Sequence, residues 1–121
     1  MPSVINEIVV DCAVPERVAA FWAEVLDWEP HREGDYVWMS ASGEPADGGL
    51  ILVFVPVPEP KTVKNRVHID VCPRGCEQAE EVERLIRLGA RRVDIGQGEV
   101  PWVVLADPEG NEFCVLHRRV D

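Results

Sequence analysis

His68 and Asp70 stand two residues apart in the run Asn65-Arg66-Val67-His68-Ile69-Asp70. In an extended strand, residues two apart project from the same side, about 7 Å apart along it. A histidine beside a carboxylate can act as an acid, a base or a hydrogen-bond donor to a bound molecule. The same pair can also be structural, a histidine satisfied by its neighbour. On the residues alone both readings stay open, and His68 with Asp70 are the candidate catalytic pair.

Cysteines are the other reactive groups: Cys12, Cys72, Cys76 and Cys114. They are even in number, yet the chain has enough apolar residues to fold without a disulfide framework. Cys72-Pro-Arg-Gly-Cys76 has no matching Cys/His pair elsewhere, which makes it a poor zinc motif. As a nucleophile Cys114 needs a base and an electropositive setting. His68 is the one neighbour to serve as base, and the acidic context opposes a thiolate. Strand alternation puts Glu112 with Cys114 on one side, Phe113 and Val115 on the other, and turns His117 away from Cys114.

These side chains need elements to hold them. Residues 5–14 are β-branched and apolar with polar interruptions, the pattern of a strand. Pro15 then opens a helix in which Val18, Phe21, Trp22, Val25 and Leu26 share a face. Short strands follow at 28–32 and 36–41, then the loop 42–49 and a longer strand at 50–57. Residues 56–65 are rich in proline and lysine and read as a linker, and Lys61, Lys64 and Arg66 in or beside it read as solvated rather than anion-binding. The order then restarts. Strand 66–72 leads to a helix over 76–89 that buries Ala79, Val82 and Leu85 or Ile86 and stops at Gly89. Strands at 90–95, 100–106 and 111–117 complete it, with Asp107-Pro108-Glu109-Gly110-Asn111 as a hairpin loop. Trp22 and Trp28 read as core or module-interface residues. Trp38 and Trp102 fall on strands, where they can line an aromatic wall for a planar or apolar ligand.

The fold class is therefore α+β, two tandem β-α-β-β-β modules of about 1–60 and 61–121 in a single domain. Each half is too small to close its own core, so the modules pack together or pair between chains. The apolar inventory, four tryptophans included, points to a homodimer.

Charge sets the partners. The chain carries 12 basic and 22 acidic residues, a net charge of −10. The first sixty residues hold eleven of the acids but only Arg17 and Arg32 as bases. Such a balance repels phosphate backbones and anionic membranes, which argues against both as partners. The first residues lack the basic n-region and the cleavage pattern of a signal peptide, so a cytoplasmic protein is the expectation.

The order βαβββ-βαβββ, with Lys64-Asn65-Arg66-Val67-His68-Ile69-Asp70-Val71 opening the second half and Asp107-Pro108-Glu109-Gly110-Asn111-Glu112-Phe113-Cys114-Val115-Leu116 closing it, resembles the vicinal oxygen chelate superfamily. This is the group of glyoxalase I, the bleomycin and fosfomycin resistance proteins and the extradiol dioxygenases. Within it the chain is most similar to small glyoxalase-like domain proteins. The resemblance implies curved mixed sheets around a cavity, with helices on the convex faces. It implies a small-molecule ligand, either turned over by a lyase, isomerase or dioxygenase reaction or simply bound, as bleomycin resistance proteins do. Metal-dependent members take ligands, usually histidine and glutamate, from the first and fourth strands of each module. Carried over, those positions fall on His68 and Cys114 in the second module, the latter a thiol where a glutamate is usual. In the first module the position falls on Glu7 or on Val9, depending on which residues are aligned, and the fourth strand offers no ligand. Glu7, His68 and Cys114 are the remaining metal candidates, and no resident metal or other cofactor is expected. The ligand cavity implied by the resemblance takes Glu7, Asp11, Trp38, Trp102 and Cys114.

Overall fold

The computed structural model describes residues 1–44 and 49–121, so the middle of the loop read at 42–49 lies outside the described residues. The chain divides into two compact units, Met1–Pro60 and Lys61–Asp121.

In the first unit, strand β1 (Ile8–Cys12) leads into helix α1 (Pro15–Leu26), followed by β2 (His31–Glu33), β3 (Tyr36–Ser40) and β4 (Ile51–Pro56). The sheet order is β1-β4-β3-β2, with β1 parallel to β4 and the other pairs antiparallel. Proline at the start of α1 costs no hydrogen bond, because the first N–H groups of a helix have no partner within it. Val18, Ala19, Phe21 and Trp22 are its buried side, and the helix lies on β3 and β4. The Phe21 and Trp22 rings meet edge to face at 5.4 Å. At its end Asp27 adopts the left-handed conformation and the Trp28 N–H turns back to the Ala23 carbonyl, so the helix stops short of Trp28. Register places Ile8, Leu52 and Met39 in one row across the sheet and Val10, Phe54 and Val37 in the next on the same side. Leu52, Met39 and Phe54 are fully buried. The opposite side carries the row Val9, Val53, Trp38 and His31.

The second unit repeats the plan: β5 (Asp70–Val71), α2 (Gln78–Leu88), β6 (Arg91–Arg92), β7 (Val103–Ala106) and β8 (Glu112–Val115), in the order β5-β8-β7-β6. Again the first strand runs parallel to the last and the others are antiparallel. Two βαβββ units with mixed four-stranded sheets make this an α+β fold, as the order of patterns indicates.

Three local expectations are corrected. Helix α2 buries Glu81, Val82 and Leu85, while Ala79 is exposed and Ile86 is 38% exposed. A carboxylate takes the place of Ala79 because Arg84, one turn on, meets Glu81 with two bonds of 2.8 and 3.0 Å. The strand read at 66–72 is paired only at Asp70–Val71. Upstream of it, the Asn65 N–H bonds the Glu112 carboxylate at 2.9 Å and the Asn65 amide bonds the Asn111 side chain at 3.2 Å. Side chains thus take the place of ladder bonds, and the chain leaves the sheet. The strand read at 90–95 is likewise paired only over Arg91–Arg92.

The hairpin loop between β7 and β8 is organised by Asp107, which is 1% exposed. Its Oδ1 accepts the N–H groups of Glu109 and Asn111, both at 2.9 Å, and Gly110 supplies the positive φ that the turn requires.

Candidate functional site

Asp70 and Cys114 are direct register partners across the parallel pair β5–β8, so their side chains leave the sheet on the same side. His68, two residues before Asp70, projects to that side as well and brings its Nδ1 to 3.0 Å from Asp70 Oδ1. One donor atom from each of His68, Asp70 and Cys114 lies within 4.8 Å of the others. An i,i+2 pair on one strand and a cross-strand neighbour on the next suffice to build this corner.

The three differ in exposure. The His68 and Asp70 side chains are 40% and 41% exposed, so the pair meets solvent, whereas Cys114 is buried. Burial pushes the Cys114 thiol up to about 11, and the Asp70 carboxylate beside it pushes the same way through its charge and its hydrogen bond. The thiol therefore keeps its proton at neutral pH, which excludes Cys114 as a free thiolate nucleophile. Its packing role is evident across β7, where its register partner Val104 is itself buried.

Glu112 stands on the same side of β8 as Cys114 but looks to different partners. Its carboxylate accepts the Lys61 ammonium at 3.0 Å and the Asn65 N–H at 2.9 Å. Burial alone would raise this carboxyl, but those two donors outweigh it and hold the group below its ordinary range. Lys61 is therefore tied down rather than merely solvated. Sequence reasoning missed this network. The parity of Glu112 with Cys114 was the available signal, but nothing local to residues 61–65 announces their partner.

In the first unit, Asp11 is paired with Val55 in the way that Asp70 is paired with Cys114. The same separation along the chain divides the two members of each pair. By this register Val9 is the counterpart of His68, and of the two alignments that the sequence leaves open, Glu7 is the one that falls out of step. Glu7 precedes β1, is exposed and accepts the Asn6 side-chain amide at 2.9 Å. Asp11 is exposed and Val9 is 49% exposed. Here the corner reads Val9, Asp11 and Val55, so the histidine and the sulfur belong to the second unit alone.

Trp38 lies in β3 on the side of the sheet that carries Val9 and Val53, and His31 stacks on it with ring centroids 4.4 Å apart. The buried His31 Nε2 has no hydrogen-bond partner among the described residues. Trp102 does not lie on a strand, contrary to the sequence reading. It precedes β7 and is 40% exposed. Between Cys72 and Cys76, Arg74 forms an isolated parallel bridge with Val120, whose carbonyl accepts the Gly75 N–H at 2.8 Å.

Residues 7–116 match the family model of the glyoxalase-like domain. No curated protein matches the chain. Among solved structures, the fosfomycin resistance protein FosX from Listeria monocytogenes, bound to Mn(II) and 1S,2S-dihydroxypropylphosphonic acid, is 17% identical with a TM-score of 0.69, over 97% of this chain and 91% of that one. A glyoxalase-related enzyme from Fulvimarina pelagi is 17% identical with a TM-score of 0.63, over 94% and 87%. A glyoxalase/bleomycin resistance protein/dioxygenase family enzyme from Burkholderia phytofirmans is 16% identical with a TM-score of 0.63, over 98% and 100%. At these identities the likeness is one of fold.

Proposed function

The chain belongs to the glyoxalase-like domain family of the vicinal oxygen chelate superfamily, and from that premise we propose that it takes up a small oxygen-bearing molecule and moves a proton on it with His68 and Asp70. The observation that carries this is the 3.0 Å contact between His68 Nδ1 and Asp70 Oδ1. With the Nδ1 proton donated to the carboxylate, Nε2 keeps its lone pair and accepts a proton from a ligand hydroxyl or from a carbon next to a carbonyl. The resulting imidazolium is stabilised by Asp70, and return of the proton at another atom completes an isomerase or lyase type of step. The exposed side of the pair gives a ligand access. Cys114 forms the neutral floor of the corner.

One solved relative holds Mn(II). The residues here do not fit that ion, which is hard and favours oxygen and imidazole donors, because a buried thiol stands where a carboxylate would serve it. No step is therefore routed through it.

Proton exchange tests the reading without the reaction being known. Dihydroxyacetone and related α-hydroxy ketones, incubated with the protein in deuterated buffer containing a chelator, should gain deuterium next to the carbonyl. His68→Ala should slow that gain at least tenfold. Binding without exchange would support the second reading, a non-catalytic binding protein of the bleomycin resistance type, favoured by the neutral Cys114 and by the apolar counterparts Val9 and Val55. Neither binding nor exchange would remove both.

The wider reading is one domain made of both units, matched as a whole by the family model, and a cytoplasmic homodimer. No helix among the described residues is long and apolar enough to cross a membrane. Exposed apolar residues support the dimer: Val4 is 90%, Ile5 79%, Val63 74% and Val67 78% exposed. Sedimentation equilibrium at micromolar protein should give twice the 13.5 kDa chain mass, and a single species at the chain mass would exclude it.

A further inference from the structure

We propose that Glu112 is a positioning residue for His68, fixing how the imidazole meets Asp70 through the backbone of Asn65 rather than by touching the ring. The proposal rests on the proton-handling reading of His68 and Asp70 and says what holds that pair in place. Arg66, Val67 and His68 are exposed and make no backbone hydrogen bond among the described residues. The residues on either side of them are half-buried and tied. Ile69 gives its carbonyl to the Cys114 N–H at 3.1 Å. Asn65 gives its N–H to Glu112 Oε1 at 2.9 Å and its side-chain amide to Asn111 Oδ1 at 3.2 Å. His68 thus rides on a short span fastened at two points of β8, Glu112 and Cys114.

The contact between His68 and Asp70 cannot order this span by itself. Both side chains are about two-fifths exposed, and attraction between such groups is weak in water. Residues that no ladder holds keep their conformational entropy unless something else fixes them. Glu112 is built to do so, being 14% exposed with a partner on each oxygen. Oε1 takes the Asn65 N–H, while Oε2 takes the Lys61 ammonium at 3.0 Å, and that ammonium also reaches the Val63 carbonyl at 2.7 Å. A charged acceptor binds an N–H more strongly than a neutral one. Asn111 is held in turn by Asp107, whose Oδ1 accepts its N–H at 2.9 Å and whose Oδ2 accepts its side-chain amide at 3.1 Å.

With that anchor in place, the imidazole meets Asp70 through Nδ1 and leaves Nε2 for a ligand. Without it the span swings about the Ile69 fastening, and the ring turns away first. A reacting group misplaced by about 1 Å loses about a hundredfold in rate, so the effect falls on turnover rather than on affinity.

Nitrogen-15 NMR of the labelled full chain reads the tautomer of the neutral His68 ring, its signals assigned by their loss in His68→Ala. In the wild type the Nδ1–H form, donating to Asp70, should predominate. Glu112→Ala should cut that population at least twofold. In deuterium exchange into dihydroxyacetone it should lower kcat at least tenfold while KM changes less than threefold. Glu112→Met, close to glutamate in size but without an oxygen acceptor, should repeat the result and decides the matter if Glu112→Ala does not fold. Glu112→Gln keeps an oxygen for the Asn65 N–H and should hold the wild-type tautomer and at least a third of kcat. Glu81→Gln, which breaks an ion pair on α2, should move neither readout and so controls for a general loss of stability. An unchanged tautomer in folded Glu112→Ala or Glu112→Met, equal effects of Gln and Ala at this position, or the same shift in Glu81→Gln would each overturn the proposal. The tautomer is read without any substrate. Absence of exchange in the wild type would therefore remove the proton-handling reading, while the positioning of His68 by Glu112 stands or falls on the NMR result.

Discussion

Asp70 and Cys114 face each other across the parallel pair β5–β8, and the carboxylate of the one helps to keep the thiol of the other protonated. A cysteine in this position behaves as a small buried side chain until something replaces its proton. Its reactivity should show this directly. In iodoacetamide at pH 8, mass spectrometry should find Cys114 alkylated far more slowly than Cys72 or Cys76, both of which are half-buried. The sign follows from the raised value: the folded chain prefers the thiol form, and this preference fades as pH rises from 9 towards about 11. Labelling of Cys114 at the rate of Cys72 would show that the site is open.

Glu112→Gln should destabilise the chain by about 1–2 kcal/mol at neutral pH, since a largely buried carboxylate that accepts both an ammonium and a backbone N–H is replaced by a neutral amide. The folded carboxyl titrates below its ordinary value of 4.5, so its contribution is complete above that pH and is lost as pH falls through the lower folded value. Urea denaturation of both forms at pH 7 and at pH 3 should therefore show the gap narrowing in acid. A gap independent of pH would mean that the ion pair contributes nothing.

Asp107→Ala should cost about 2–3 kcal/mol. It strips a buried turn of the acceptor for two backbone N–H groups and for the Asn111 amide. Asn at this position should recover part of the loss, because its carbonyl oxygen reproduces one acceptor. Thermal melts of the two variants decide, and equal melting points would show that the loss comes from packing alone.

Asp27→Gly should raise stability by about 0.5–1 kcal/mol. Asp27 is the one non-glycine residue with positive φ among the described residues, and glycine holds that conformation without a Cβ clash. A fall in melting temperature would show that the Asp27 side chain makes a contribution larger than the strain.

The sequence carried the plan of the fold because its signals are local. Period-two runs mark strands, a proline opens α1, Gly89 follows α2, and the Asp107–Asn111 turn has its own chemistry. The convergence of His68 and Asp70 was equally legible, since alternation alone puts them on one side. What escaped is long-range. That Cys114 falls opposite Asp70 rather than opposite His68 depends on the register of a parallel pair formed between the two ends of the unit. The early end of the strand at Asp70 depends on Glu112, which draws the backbone of Asn65 away from the ladder. The burial of Glu81 instead of Ala79 depends on Arg84, because a pattern that counts only apolar residues passes over a carboxylate with its own cation.

The pairing of Asp11 with Val55 repeats that of Asp70 with Cys114, and this makes the first unit a blank template of the second. Its carboxylate is already in place, flanked by a half-exposed Val9 and a partly buried Val55. Grafting Val9→His and Val55→Cys would write the same three side chains onto a second sheet of identical strand order. The chain thus contains its own control: a scaffold on which the corner can be installed from nothing, apart from any history of the original.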